Sequence, residues 1–205
     1  MQNSIYWKTV VQPDDPLNYK SSGEPLQKAD LRMKGSKQYD VPPPEGLFRG
    51  LRNRFLQLLA RHAPGARTLR VWLHRWRGVK IGANVWIGYD AIVESSYPHL
   101  ITIGDRAAIG IGTIIIAHFH EVYGVTIEED AFVGPGAVIL PGVTVGRAAV
   151  VTAGSVVTQS VPAKTLVQGN PAKPLAVIGL PLTEQISVKE FSKHLKPLQR
   201  DASGA

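Results

Sequence analysis

Counting in sixes from Ile103 meets Ile109 and Ile115, then Ile127, Val133, Ile139, Val145, Val151 and Val157, and Glu121 is the one member of the column that is not β-branched. Small residues follow four positions later at Ala107, Thr113, Ala131, Ala137, Ala149 and Ser155. Glycine follows immediately at Gly104, Gly110, Gly134 and Gly146. Side chains on one face of a helix recur about every 3.6 residues and those of a strand every second residue, so a strict six suits neither. It suits short strands stacked as parallel rungs, each turning one stiff Val or Ile inward, with small residues and glycines at the corners between flat faces. The expectation is an all-β core in the form of a parallel β-helix.

The same pattern occurs earlier as Ile81-Gly82, Ile87-Gly88 and Val93, but offset from Ile103. Residues 94–100 should therefore leave the coil as an irregular excursion, and a second break falls at Glu121. On this basis the chain divides into an extended or partly disordered arm at 1–45, a basic helical segment at 46–78, the β-helix at 79–178 and a tail at 179–205.

The flanking segments read differently. Val41-Pro42-Pro43-Pro44 blocks both helix and ladder in the arm. Leu47, Phe48, Leu51, Phe55, Leu58 and Leu59 recur at helical steps until Pro64-Gly65, which gives an amphipathic helix. A second helix is expected over Ala66 to Trp76, with Leu69, Trp72, Leu73 and Trp76 available for packing and Gly78 ending it. In the tail, Ser187 to Glu190 has the spacing of a capping box, opening a short helix with Val188, Phe191 and Leu195 on one face.

Charge is uneven. From Leu47 to Tyr89 there is no Asp or Glu, while Arg49, Arg52, Arg54, Arg61, Arg67, Arg70, Arg75, Arg77 and Lys80 fall there; the whole chain carries +7. Such a stretch calls for a negative neighbour or for water. Trp72 and Trp76 fit an apolar helical face rather than a base-stacking platform, so nucleic acid is not an expected partner. The basic amphipathic helix admits peripheral contact with an anionic membrane. No apolar run approaches the roughly 20 residues that span a bilayer, and a soluble, cytoplasmic protein is expected. With no cysteine, disulfides, thiolate metal sites and a cysteine nucleophile are excluded.

His118 and His120 stand immediately before the break at Glu121, where a closed coil can project side chains. Imidazole, with its ordinary pKa of about 6.5, is suited to take a proton near neutral pH. Glu121 is a candidate to orient either ring.

The column, followed by Val157-Thr158-Gln159-Ser160-Val161-Pro162 and by Gln168-Gly169-Asn170-Pro171-Ala172-Lys173, resembles the left-handed parallel β-helix acyltransferases, the hexapeptide-repeat superfamily, with galactoside, maltose and polysaccharide O-acetyltransferases most similar. The resemblance covers residues 79–178. It implies a homotrimer with active sites between adjacent β-helices, acetyl-CoA as cosubstrate and no metal. It also implies a histidine general base: His118 by its Ala-His setting, or His120 by hexapeptide register. Gly134, Pro135, Ala153, Thr158 and Gln159 are implied to line the cofactor, with Lys173 near its phosphates. Gln159 and Phe132 depart from the family, which commonly has a basic residue and a tryptophan there. Backbone N–H groups of the Gly134 to Gly136 turn are the expected oxyanion donors.

The reading is thus a CoA-dependent acetyltransferase acting on a sugar hydroxyl of a polysaccharide, lipopolysaccharide or glycoside, with acceptor contacts from 94–100 (Glu94, Ser95, Tyr97) and 121–124. N-acetylation of a nucleotide-linked amino sugar and a non-catalytic β-helix scaffold are the alternatives. A zinc hydrolase on the same fold would need a third histidine, for which His99 is the candidate.

Overall fold

The computed structural model of the protein describes residues 46–119, 121–182 and 186–198, and for 119, 121 and 122 the backbone only. The expected arm at 1–45 and His120 lie outside the described residues.

The six-residue column becomes the interior of a three-sided parallel β-solenoid. One side stacks β1 (Lys80–Ile81), β4 (Ile101–Ile103), β9 (Val125–Ile127) and β12 (Thr144–Val145). The second stacks β2 (Trp86–Ile87), β5 (Ala108–Ile109), β10 (Phe132–Val133), β13 (Val150–Val151) and β15 (Thr165–Gly169). The third stacks β3 (Ile92–Val93), β6 (Ile114–Ile115), β11 (Val138–Ile139) and β14 (Val156–Val157). Register is continuous along each side: Ile81, Ile103, Ile127 and Val145 align, as do Ile87, Ile109, Val133 and Val151, and Val93, Ile115, Ile139 and Val157. From Ile87 onward the members of this column are at most 1% exposed, each contributing on the order of 2 kcal/mol of apolar burial. The offset between the early and late registers is absorbed by residues 94–100, which include a 3₁₀ turn at Pro98–Leu100. The second break emerges as a small hairpin, β7 (His118–Phe119) against β8 (Glu121–Val122).

Glycine has two separate jobs at the corners. Directly after an inward residue, as at Gly110, an added Cβ would lie 2.4 Å from Pro135 N of the next coil. Two positions later the chain turns through positive φ, taken by Gly112 (+65°) and Gly136 (+67°) but also by Asp90, Arg106 and Ala148.

The basic segment forms α1 (Leu47–His62) and α2 (Leu69–Arg77); Gly78, in the left-handed conformation, ends the second. α2 begins later than expected because 65–68 are taken up by a turn in which Thr68 N–H and Arg70 N–H donate to Gly65 C=O. The partner of the acid-free arginine run is neither an acid nor water alone. Among the described residues the first coil has no rung beneath it, and such edges leave carbonyls unpaired. Arg75 donates to Ile81 and Gly82 C=O, Arg70 to Ile87 C=O, Gln57 to Ala91 C=O, and Arg77 to Val93 and Glu94 C=O. A guanidinium carries five donors and no acceptor, so one side chain can cap more than one carbonyl of the edge. Arg61 takes an acid, Asp90. Arg77 is 3% exposed and also donates to Gln57 and to His74 Nδ1. Burial first, then the charges of Arg77 and Arg70, lowers His74 to a pKa of about 3, so its ring stays neutral and accepts.

Most of the large apolar residues of α1 face away from the protein. Its packed side is Gly50, Asn53, Leu56, Gln57 and Ala60, while Leu47, Phe48, Leu51, Phe55 and Leu58 are more than half exposed. Trp72 and Trp76 are likewise 53% exposed rather than packed.

At the other end β15 pairs with β16 (Ala172–Ile178), and β16 with β17 (Leu195–Pro197), both antiparallel. The tail helix α3 (Val188–Lys193) has the expected cap, Ser187 Oγ accepting from Glu190 N–H at 3.1 Å. Only Phe191 of its anticipated face is buried; Val188 is 73% exposed and Leu195 falls in β17, since the helix stops at Lys193. No described helix is long and apolar enough to cross a membrane.

The two glycine roles separate experimentally. Gly110→Ala forces backbone apart and should cost more than about 2 kcal/mol, whereas Gly112→Ala meets nothing within 4 Å and should cost only the left-handed penalty of about 1 kcal/mol. Urea unfolding of the two variants measures the difference; equal losses would contradict the packing role.

Candidate functional site

The four rungs of the third side lead into one corner, and two of them, β3 and β6, leave the regular coil there. Val93 of β3 and Ile115 of β6 are aligned neighbours, so Glu94, one residue beyond the first, comes level with the chain approaching His118. The Glu94 side chain is 1% exposed and its Oε2 lies 2.8 Å from His118 Nδ1. The same oxygen accepts Ala117 N–H at 2.8 Å, while Oε1 accepts Ser96 N–H at 2.7 Å and Tyr97 N–H at 3.3 Å. Burial alone would raise the Glu94 carboxyl, but the bonds from Ala117, His118 and Ser96 outweigh it and hold the group below its ordinary value. It stays a carboxylate at neutral pH, as a group charge-assisted by several donors should.

A carboxylate can only accept, so the proton between the two rests on His118 Nδ1 and the Nε2 lone pair is left as the basic site. The His118 side chain is 39% exposed. Tyr97 stands edge-on to its ring, centroids 5.0 Å apart and planes at 83°, and His99 stands edge-on to Tyr97 at 6.3 Å. Thus one imidazole is clamped by a buried carboxylate on one nitrogen and a tyrosine ring on its side, with the other nitrogen able to take a proton.

Glu94 therefore turns inward to His118 rather than outward as an acceptor contact. It holds His118 Nδ1, an orienting role for which Glu121 is also a candidate. Its signal was its position directly after Val93, the last residue of the early register. Of His120 and the Glu121 side chain nothing is described. His99 is held below its ordinary pKa by burial and by the charges of Lys80 and Arg49, with Glu94 opposing. Among the described residues no group of three His, Cys, Asp or Glu side chains is arranged to hold a metal.

The residues implied to line a cofactor fall on the two corners that bound the third side. Thr158 and Gln159 follow β14 and share the corner of Glu94 and His118. Pro135 and Ala153 are exposed and lie on the other corner in consecutive coils, where Gly154 N–H donates to Pro135 C=O at 2.9 Å. Gly169 N–H donates to Ser155 Oγ, bringing the β15–β16 turn to that corner, with exposed Lys173 opposite Gln168. Gly134 has a packing reason of its own, since a Cβ there would lie 2.6 Å from Ala153 N. The expected oxyanion donors are not available: Gly134 N–H donates to Val151 C=O and Gly136 N–H to Ile111 C=O, both at 2.8 Å, and Pro135 has no N–H.

Two families match the chain. The family described as bacterial transferase hexapeptide (six repeats) matches residues 124–159, and hexapeptide repeat of succinyl-transferase matches 78–117. YvoF of Bacillus subtilis (strain 168), assigned to the acetyltransferases by name, is 32% identical over 129 residues, 60% of this chain and 74% of that protein. A 2,3,4,5-tetrahydropyridine-2,6-dicarboxylate N-acetyltransferase of Staphylococcus aureus is 45% identical over 74 residues, but these are only 35% of this chain and 31% of that enzyme. Among solved structures, the hexapeptide-repeat acetyltransferase VCA0836 of Vibrio cholerae O1 biovar eltor, in complex with acetyl coenzyme A, superposes with a TM-score of 0.56 at 26% identity, covering 74% of this chain and 98% of that one. The chain belongs to the hexapeptide-repeat acyltransferases.

Because Glu94 is held below its ordinary 4.5, its contribution to stability is fully present above that value and is lost as pH falls through the lowered, folded one. Urea unfolding at neutral pH and at successively lower pH should show Glu94→Gln less stable at neutrality, with a shallower acid decline than wild type. Parallel declines would remove the buried carboxylate from the account.

Proposed function

We propose that the protein transfers an acetyl group from acetyl-CoA to a sugar hydroxyl of a polysaccharide, lipopolysaccharide or glycoside, with His118 as the general base. The observation that carries this reading is the His118 Nδ1 to Glu94 Oε2 bond of 2.8 Å at the corner where the coil opens. With Nδ1–H committed to Glu94, Nε2 takes the proton from the acceptor hydroxyl as its oxygen attacks the thioester carbonyl carbon. The C–S bond then breaks, and the departing thiolate receives the proton from His118, which returns the base to its starting form. Glu94 stays ionised throughout, fixing the tautomer and stabilising the transient imidazolium, as the carboxylate does in other such pairs.

For the cosubstrate, the proposed contacts are Pro135 and Ala153 along one corner, Thr158 and Gln159 along the other, and Lys173 as a point charge for the phosphates. Gly134 is proposed there too, by contact across its bare backbone, and His120 remains a second candidate base. The two corners bound a side whose outward row, Ile92, Ile114, Val138 and Val156, is apolar and half-buried. That row supports a homotrimer in which this side meets a second copy and the cleft between copies holds the cosubstrate. The catalytic work is proposed for residues 79–178.

An amine acceptor is the second reading, favoured by the local 45% identity to an N-acetyltransferase; the same base would serve either nucleophile.

The test is calorimetry of acetyl-CoA binding, followed by thioester cleavage with panels of sugars and amino sugars. His118→Ala should keep acetyl-CoA binding within a few-fold and lose roughly 10²- to 10⁴-fold in kcat. Glu94→Gln should lose a smaller factor, at least about tenfold, in kcat rather than KM. Full turnover by His118→Ala would move the base elsewhere, and absence of acetyl-CoA binding in wild type would leave a scaffold.

A further inference from the structure

The helix α1 is built the wrong way round for a helix that only supports a core. Successive residues advance by about 100° around a helix, so Leu47, Leu58, Leu51, Phe55, Phe48 and Leu59 form a stripe about 120° wide. That is the width by which a surface helix normally buries its apolar side against its own protein. Here the stripe points outward: Leu47 is 73% exposed, Phe48 87%, Leu51 58%, Phe55 60%, Leu58 53% and Leu59 42%. The packed side carries Gly50, Asn53, Leu56, Gln57 and Ala60, with Leu56 and Ala60 against Leu73 of α2. The arrangement is held in place, since Gln57 donates to Ala91 C=O, Arg77 donates to Gln57, and Arg61 pairs with Asp90. On the neighbouring α2, Trp72 and Trp76 lie with ring centroids 5.1 Å apart and planes tilted by 41°, and each is about half exposed.

We propose that the outward face of α1 docks on the surface of an anionic lipid bilayer. Arg52 lies about 20° beyond one edge of the apolar stripe, the flanking position from which a long cationic side chain reaches headgroups while the stripe enters the acyl boundary. No acid interrupts this from Leu47 to Tyr89. Tryptophans are suited to the same depth. A second copy of the chain fits less well. A two-fold contact would oppose arginine to arginine. The exposed acidic cluster on the coil that might receive such a face, Glu129 with Asp130, is already paired with Arg106 and Arg147. A negatively charged bilayer surface meets Arg52 and the apolar stripe at once. The inference stands on the helices alone and does not depend on the acceptor or on the base.

The full chain is floated with vesicles of phosphatidylcholine alone and of phosphatidylcholine with phosphatidylglycerol. Flotation is expected with the anionic vesicles, weakening as salt shortens the Debye length. Partitioning should fall roughly fivefold in Arg52→Gln and more than about tenfold in Phe48→Ser/Phe55→Ser. These are surface positions, so circular dichroism and acetyl-CoA binding should match wild type in both variants. Failure of wild type to float with either vesicle overturns the proposal, as does flotation that the phenylalanine variant leaves unchanged. A wild type that stays in solution while the phenylalanine variant loses mass by light scattering would assign the face to a contact between copies instead.

Discussion

The rung-on-rung ladder is the constraint on which everything else in this molecule rests. Each coil commits its backbone N–H and C=O groups to the coils above and below, and its Val or Ile to the interior, so little on a regular rung is left for chemistry. The turn at Gly134 to Gly136 illustrates this: it resembles a ready source of oxyanion donors, yet its amides already bond Val151 and Ile111. A buried amide that left its ladder partner would incur the full cost of an unmade bond.

Polar groups released from the ladder gather where it is interrupted, and the two interruptions meet. Residues 94–100 leave after β3 and the β7–β8 hairpin leaves after β6, on adjacent rungs of one side. Glu94 and His118 are 24 residues apart in the chain and in contact in space for this reason alone. The carboxylate can be nearly fully buried because Ala117, Ser96 and Tyr97 supply backbone donors that the excursion has released from the ladder. The arginines of α1 and α2 answer the complementary problem at the first coil. There, among the described residues, the ladder has no further rung, and edge carbonyls take guanidinium donors, that of Glu94 among them.

The β-helix, its register shift and its second break were legible because a solenoid is close to one-dimensional: each repeat contacts its neighbours, so period in the chain becomes adjacency in space. The bounds of α1 and the Ser187 cap were legible for the same local reason. The facing of α1 was not. An amphipathic pattern states that a helix has two sides, and which side meets the protein depends on what the partner offers; an edge of bare carbonyls selects Gln57 over Phe55. The Glu94–His118 pairing was hidden because a buried carboxylate and a surface one are the same letter until the neighbouring rung is in place.

What the sequence determined by itself was the column and therefore the solenoid, since a β-branched residue at every sixth position has no other compact arrangement that buries it. It also marked the break beside His118 as the place to look for chemistry. What only the tertiary structure decided was the clamp on that histidine, the loss of the expected oxyanion amides to the ladder, and the outward turn of α1. Each of these depends on which donors and acceptors remain unpaired once the rungs have stacked, and that remainder exists only in three dimensions.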